Sequence, residues 1–191
     1  MPRTKEQNEA IRAEKKQLIM DTALKLFAEN GFERTSIECI AQHAGISIGL
    51  MYKYFKSKDD LLYQILASGM QMITDFFHAD MTMEELIAGI EKFFDYITEN
   101  REFFKLYTII SVQPNVTKIL ELIRNENQSS RNDLKKLFDK LFGEQNAIHE
   151  LILYSVIMKG FTVVYVFDDK QNEYLKNVIV EFIRNRYKSI K

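Results

Sequence analysis

The most informative part of the chain runs from residue 35 to residue 62 and reads TSIECIAQHAGISIGLMYKYFKSKDDLL. Thr35 is followed three residues later by Glu38, which is the pattern of a capping box at the start of a helix. In that motif the cap oxygen accepts a backbone N–H that has no partner inside the helix. The pattern therefore predicts a short helix over residues 36–43.

A second short helix should follow after a tight turn. Gly45 can adopt the positive φ that such a turn requires. Ser47 would then cap a helix over residues 48–54, and Ser57 would cap the start of a long helix. A helix, a glycine-containing turn and another short helix make up a helix-turn-helix.

The rest of the chain also has helical spacing of its apolar residues. A stripe before the motif ends at Asn30-Gly31, and further stripes follow up to residue 183. One long stripe covers residues 115–142 and ends at Gly143. With no convincing strand pattern, the sequence predicts an all-α fold of about nine helices.

Composition excludes several classes of protein. The single Cys39 and three scattered histidines predict no disulfide, metal site or cofactor. The sequence shows no Ser/His/Asp arrangement, phosphate loop or carboxylate pair, so we do not expect an enzyme. It shows no secretory signal, and the longest dense apolar run, residues 161–167, is too short for a membrane span. We therefore expect a cytoplasmic protein.

Charge alone does not predict a nucleic-acid partner. The chain has 26 Lys and Arg against 27 Asp and Glu. Residues 1–58 are mildly basic, with ten Lys and Arg against seven Asp and Glu. This asymmetry is consistent with DNA binding but is too small to indicate it.

Residues 16–62 resemble the TetR (tetracycline-repressor) family of bacterial transcriptional regulators. The resemblance rests on the ordered series ALKLFAENGF at 23–32, AGIS at 44–47, YKYF at 52–55 and KDDLL at 58–62. It implies a helical, homodimeric repressor with a DNA-binding domain over residues 1–57. Residues 58–191 would form a helical domain for ligand binding and dimerisation.

The resemblance also implies which residues contact DNA. The family positions that make such contacts carry Thr35, Ser47, Gly49, Tyr52, Tyr54 and Lys58. Lys53 is a further candidate, and Ile48 and Leu50 occupy the expected base-reading positions, where they can touch thymine methyls. An N-terminal basic arm could reach phosphate or the minor groove, or could be a solvated helix end: Arg3, Lys5, Arg12, Lys15 and Lys16.

The second part of the chain has features of a sensor. Of the 23 Phe and Tyr residues, 18 follow residue 60. Within residues 115–142 the apolar stripe is interrupted by polar residues, so either these line a cavity or the helix breaks near residues 128–130. Candidate ligand-binding residues are Phe104, Tyr107, Asn127, Ser130, Tyr154 and Met158. A small, mostly apolar ligand is expected.

The last two helices suggest a dimer. Residues 151–167 are apolar on nearly all sides and need a partner on the face turned away from the core. Together with residues 172–187 they could pack against their mates as a four-helix bundle. The alternative is that both helices are buried within one subunit.

These observations lead to one main hypothesis and two alternatives. The main hypothesis is a repressor that a small ligand releases from a pseudo-palindromic operator, with the helix starting at Lys58 transmitting the change. In the first alternative, a DNA-binding dimer has no small-molecule inducer. In the second, a helical enzyme or lipid-binding protein retains a vestigial helix-turn-helix.

Overall fold

The computed structural model describes residues 4–126, 128–167 and 172–187. These residues contain ten α-helices, one short 3-10 turn at Pro114–Val116 and no strand. The helices are α1 (Lys5–Asn30), α2 (Ile37–His43), α3 (Ile48–Tyr54), α4 (Lys58–Thr74), α5 (Met83–Glu99), α6 (Arg101–Ser111), α7 (Thr117–Glu126), α8 (Gln128–Phe142), α9 (Glu144–Phe167) and α10 (Asn172–Arg186). The predicted all-α fold is confirmed, and the number of helices is close to the nine expected.

The chain forms two compact units, of which the first contains Met1–Ser68 and Leu106–Ile123. In this unit α2 packs against both α1 and α3, as a helix-turn-helix requires. The apolar stripe of α1 is buried from Ile19 onwards, whereas Leu18 is exposed, and the helix ends at Asn30 as predicted. Gly31 follows with a φ of 86°, a backbone conformation that favours glycine.

The second unit contains Gly69–Lys105 and Arg124–Lys191. Its core is rich in aromatic rings that meet edge to face or tilted, and the rings of Phe94 and Tyr165 have centroids 5.0 Å apart. The Tyr165 hydroxyl also lies 2.6 Å from that of Thr98. The predicted domain boundary between residues 57 and 58 stays a prediction.

The apolar stripe at residues 115–142 is built from more than one element. It begins in the 3-10 turn, where Pro114 has a fixed φ and no N–H to leave unpaired. The described residues continue as α7 and α8, and Gly143 ends α8 with a φ of 76°. Asn127 lies outside the described residues, so the cavity and the helix break both stay predictions.

Candidate nucleic-acid interface

The second short helix, α3, has the bounds that the sequence predicts. Ser47 is its N-cap, and the Ser47 hydroxyl accepts the Leu50 N–H at 3.2 Å. Gly45 in the preceding turn has a φ of 65°, which side chains disfavour. Met51 and Phe55 are buried and hold this end of the motif in the first unit. The opposite side of α3 is therefore presented to solvent.

Four residues form this exposed outer face of α3: Ile48, Gly49, Tyr52 and Lys53. The side chains of Ile48 and Tyr52 are 43% and 55% exposed. A Cβ placed on Gly49 would meet nothing within 4 Å, so another molecule can approach the backbone closely there. The face combines apolar surface, a hydroxyl and a cation, which suit thymine methyls and phosphate oxygens.

Two other residues of α3 that are predicted to contact DNA lie beside this face. Leu50 and Tyr54 are half-buried and line a groove between α3 and α1. The guanidinium carbon of Arg12 lies 5.9 Å from the centroid of the Tyr54 ring. The structure therefore separates Leu50 from Ile48, although the sequence assigned both to base reading.

Thr35 has a different local role from the one predicted. Its side chain is buried, with 1% exposed. The Thr35 hydroxyl donates to the Gly31 carbonyl at 2.9 Å and lies 3.3 Å from the Leu26 carbonyl oxygen. Ser36 is the N-cap of α2 instead and accepts the Cys39 N–H at 3.1 Å. The predicted cap at Thr35 is wrong by one residue, because the hydroxyl of Thr35 is engaged by the end of α1. Its contact with DNA stays a prediction.

Lys58 is also engaged within the first unit. Its ammonium donates to the Phe32 carbonyl at 2.9 Å, lies 3.4 Å from the Glu33 carbonyl and sits 4.4 Å from the centroid of the Phe32 ring. A phosphate contact would therefore use its third N–H. Ser57 caps α4 as predicted, since its hydroxyl accepts the Asp60 N–H at 3.1 Å.

Gln113 is a residue of this unit that the sequence did not single out. Its side-chain oxygen accepts the Phe32 N–H at 3.1 Å, and its side-chain nitrogen donates to the Phe27 carbonyl at 3.2 Å. The amide thus closes the end of α1 and supports the turn that leads into α2. No local pattern could have revealed this, because its partners lie 81 and 86 residues away.

The predicted ligand-binding residues do not all belong to one unit. Tyr107 lies in the first unit. Three others are buried in the second unit: Phe104, Tyr154 and Met158. Asn127 and the side chain of Ser130 lie outside the described part of the chain, so the structure does not test these two.

Tyr154 carries a polar group inside this aromatic core. Its ring lies 6.1 Å from the ring of Phe77 and 5.3 Å from that of Phe138, measured between centroids. Among the described residues, no atom forms a hydrogen bond with its buried hydroxyl. Burial raises the pKa of this phenol, which therefore stays a neutral donor.

One turn before Tyr154, Glu150 accepts hydrogen bonds from the hydroxyl of Tyr187 and the guanidinium of Arg186, both at 2.8 Å. Burial works to raise the pKa of the Glu150 carboxyl, but these hydrogen bonds outweigh it and the pKa is lowered. Burial, followed by the hydrogen bond to Glu150, raises the pKa of Tyr187 to about 12. The network is thus matched to an ionised Glu150 and a neutral Tyr187.

The helix α9 is buried on one side and leaves large apolar side chains exposed on another: Ile148, Ile152, Val156, Val163 and Phe167. On α10, Tyr174 and Phe182 are also exposed. By length and composition alone α9 could cross a membrane, with a mean hydropathy of 1.6 in its most apolar window. One such helix is weak support for a membrane span, because core and subunit-contact helices of soluble proteins have the same composition.

The fold and the exposed face of α3 define a helical protein with an N-terminal helix-turn-helix. The model of the bacterial regulatory proteins of the tetR family matches residues 19–65. This match covers the helix-turn-helix and parts of its flanking helices, and it confirms the resemblance of this part of the chain to the TetR family.

Curated relatives match over only part of the chain. The HTH-type transcriptional regulator YuxN of Bacillus subtilis is 51% identical over 53 residues, which is 28% of this chain and 18% of YuxN. The fatty acid metabolism regulator protein of B. subtilis is 31% identical over 84 residues, covering 41% of this chain and 43% of the relative. The chain therefore spans less than half the length of these relatives.

Solved structures share the fold along most of the chain. The fatty acid degradation regulator FadR from Bacillus halodurans has a TM-score of 0.69 and 21% identity, covering 91% of this chain and 94% of that chain. FadR from B. subtilis in complex with stearoyl-CoA has a TM-score of 0.66 and 21% identity, and the match covers 87% of this chain and 96% of that FadR chain. At this level of identity the likeness describes the fold only.

Proposed function

We propose that this protein is a transcriptional regulator that binds double-stranded DNA through the outer face of α3. The observation that carries the proposal is the exposed face of Ile48, Gly49, Tyr52 and Lys53 on a helix-turn-helix of the TetR family. A helix of this kind fits the major groove, which is about 12 Å wide. Tyr52 and Lys53 would contact phosphate, and Ile48 would touch thymine methyls.

The test is binding of the full chain to the DNA immediately upstream of its own gene, measured by mobility shift over a salt series. Tyr52→Ala and Lys53→Ala should each weaken binding, because both residues are exposed on the proposed face. Lys25→Ala removes an exposed lysine of α1 and serves as the control. Equal losses in all three variants would count against recognition through α3.

The proposal includes a homodimer formed by the exposed apolar sides of α9 and α10. Large apolar side chains repeat along α9 and stay exposed among the described residues, as an obligate subunit interface would require. A two-fold dimer would present two copies of α3 to half-sites about 34–36 Å apart, which is one turn of DNA. The operator would then be a pseudo-palindrome.

Sedimentation of a matched pair of variants tests this interface. Val156→Lys places a charge in the exposed strip of α9 and should convert the dimer to a monomer, because an unpaired charge cannot be buried cheaply. Leu18→Lys makes the same kind of change at an exposed residue of α1 and should leave the dimer intact. A monomeric wild-type protein, or a dimeric Val156→Lys variant, would refute the interface.

We further propose that a long-chain acyl compound binds in the second unit and releases the protein from DNA. The proposal is supported by the aromatic core around Phe104 and Met158 and by the buried hydroxyl of Tyr154, which has no hydrogen-bond partner among the described residues. One relative is a fatty acid metabolism regulator protein, and one structural neighbour was solved in complex with stearoyl-CoA. An apolar chain would pack among the rings, and a carbonyl could accept from the hydroxyl.

Stearoyl-CoA is the probe for this part of the proposal, with coenzyme A lacking the acyl chain as the control. Stearoyl-CoA should lower DNA affinity by about 5–150-fold, the usual range of coupling between two sites. Coenzyme A alone should have no effect. If neither compound changes DNA affinity, the alternative of a DNA-binding dimer without this inducer is favoured, in agreement with the close ring packing of the core.

A further inference from the structure

A groove of about 510 Å³ separates the N-terminal half of α1 from α3 within the first unit. Ile11 of α1 and Leu50 of α3 contribute apolar surface to it. Three cations line the same groove: Arg12 and Lys15 from α1 and Lys53 from α3. All three cationic side chains are exposed, so the groove is open to a large partner.

The charge of this groove is not compensated by its own lining. The first half of α1 also carries Glu6, Glu9 and Glu14, but none of these acids lines the groove. Three positive charges on one concave surface attract a polyanion and raise its local concentration. The chemistry therefore favours a chain of phosphates over a neutral or cationic partner.

The guanidinium of Arg12 lies over the ring of Tyr54. Its guanidinium carbon lies 5.9 Å from the ring centroid, within the range of a cation–π contact. This contact leaves the N–H groups at the edge of the guanidinium able to bind an oxyanion. Lys53 belongs both to this groove and to the outer face of α3, so the two surfaces adjoin.

We propose that this groove holds the phosphodiester backbone that flanks the base pairs contacted by α3, with Arg12 and Lys15 as phosphate-binding residues. The inference rests on the proposed DNA-binding function and adds a second contact surface to it. The backbone of one strand runs from the outer face of α3, past Lys53, into the groove.

The structure also separates two neighbouring lysines of the basic N-terminal segment. Lys15 lines the groove beside α3, whereas Lys16 lines a different groove with Met20 and with Tyr63 of α4. The two residues have the same charge and adjacent positions on the same helix. Lys16 is therefore a matched control for Lys15, since only long-range charge effects are common to both.

The experiment measures how salt affects binding of the full chain to a labelled duplex of about 30 base pairs and mixed sequence. Phosphate contacts do not depend on sequence, so the unidentified operator is not needed. The logarithm of the affinity falls linearly with the logarithm of the salt concentration, and Arg12→Ala and Lys15→Ala should each make this slope less steep by about 0.9. Arg12→Lys should retain the slope because it retains the charge, and Lys16→Ala should leave it unchanged. All these side chains are exposed, so thermal unfolding should confirm that each variant is folded.

Each result separates the inference from the function on which it rests. If the wild-type chain does not bind duplex DNA at low salt, both are overturned. If it binds and the Arg12 and Lys15 variants have the wild-type slope, only the groove is overturned. An equal effect of Lys15→Ala and Lys16→Ala would also overturn it, because net charge alone would then explain the loss.

Discussion

Replacing Tyr154 with Phe should stabilise the protein, although it removes a polar group from a buried residue. The ring would keep its contacts with Phe77 and Phe138, while the deleted hydroxyl has no partner among the described residues. A buried polar group without a hydrogen bond costs about 1–3 kcal/mol. We therefore expect the free energy of unfolding to rise by about 1–2 kcal/mol, with an increase of about 2–4 °C in Tm for each kcal/mol.

The same chemical change at Tyr187 should have the opposite sign. Its hydroxyl donates to the carboxylate of Glu150 at 2.8 Å, and a hydrogen bond to a charged group contributes about 1.5–3 kcal/mol. Tyr187→Phe should therefore lower the free energy of unfolding by about 1.5–3 kcal/mol. Urea unfolding followed by circular dichroism measures both variants, at one protein concentration because the proposed dimer would be stabilised by mass action.

This pair of variants also tests the suggested role of Tyr154. If Tyr154→Phe destabilises the protein as much as Tyr187→Phe does, its hydroxyl must have a partner in the folded state, and the reasoning is refuted. If Tyr154→Phe is stabilising, it should also reduce the effect of stearoyl-CoA on DNA affinity. Such a variant would have a more stable ligand-free state and a weaker response, which simple damage to the fold cannot produce.

Four further predictions each concern a single residue. Gln113→Ala removes both hydrogen bonds that hold the end of α1 and should cost about 1–3 kcal/mol, measured by urea unfolding. Gly45→Ala should lower the free energy of unfolding by about 1–2 kcal/mol, because the φ of residue 45 is 65°. Gly49 lies in a helix with open space around it, so Gly49→Ala should raise the stability of the protein. The same variant should weaken DNA binding in a mobility shift, because the added methyl group lies on the face proposed to contact DNA. The pKa of Glu150 is lower in the folded protein than in the unfolded chain, where it is about 4.3. The ionised carboxylate therefore stabilises the fold above about pH 4.3, and this contribution is lost as the pH falls through the folded pKa. Glu150→Gln should thus be less stable than the wild type at pH 7 in thermal unfolding, and the difference should close as the pH falls through the lowered folded pKa of Glu150.

Sequence patterns predicted the helix-turn-helix well, because its determinants are local. The cap at Ser47, the turn at Gly45 and the stop at Gly31 each depend on backbone groups within a few residues. The error at Thr35 has a clear reason. Thr35 and Ser36 are both competent caps, and the choice between them depends on the end of α1, which engages the Thr35 hydroxyl.

Patterning also predicted that α9 has apolar side chains on more than one side, but it could not say which of them face the core. The structure buries Tyr154 and Met158 and exposes Val156. Helical periodicity identifies a face only when polar residues mark the opposite one, and α9 has few of these. The orientation of such a helix is decided by the elements that pack against it.

By itself the sequence determined the all-α class and the helix-turn-helix, since helical period and caps are properties of neighbouring residues. Its motifs also carried the resemblance to the TetR family. Only the tertiary structure decided that Lys58 supports the turn after α1, that Gln113 closes that helix, and that Lys15 and Lys16 face different grooves. The partners of Lys58 and Gln113 lie 25 to 86 residues away along the chain. Contacts at such separations are set by how the helices pack, and no local pattern encodes them.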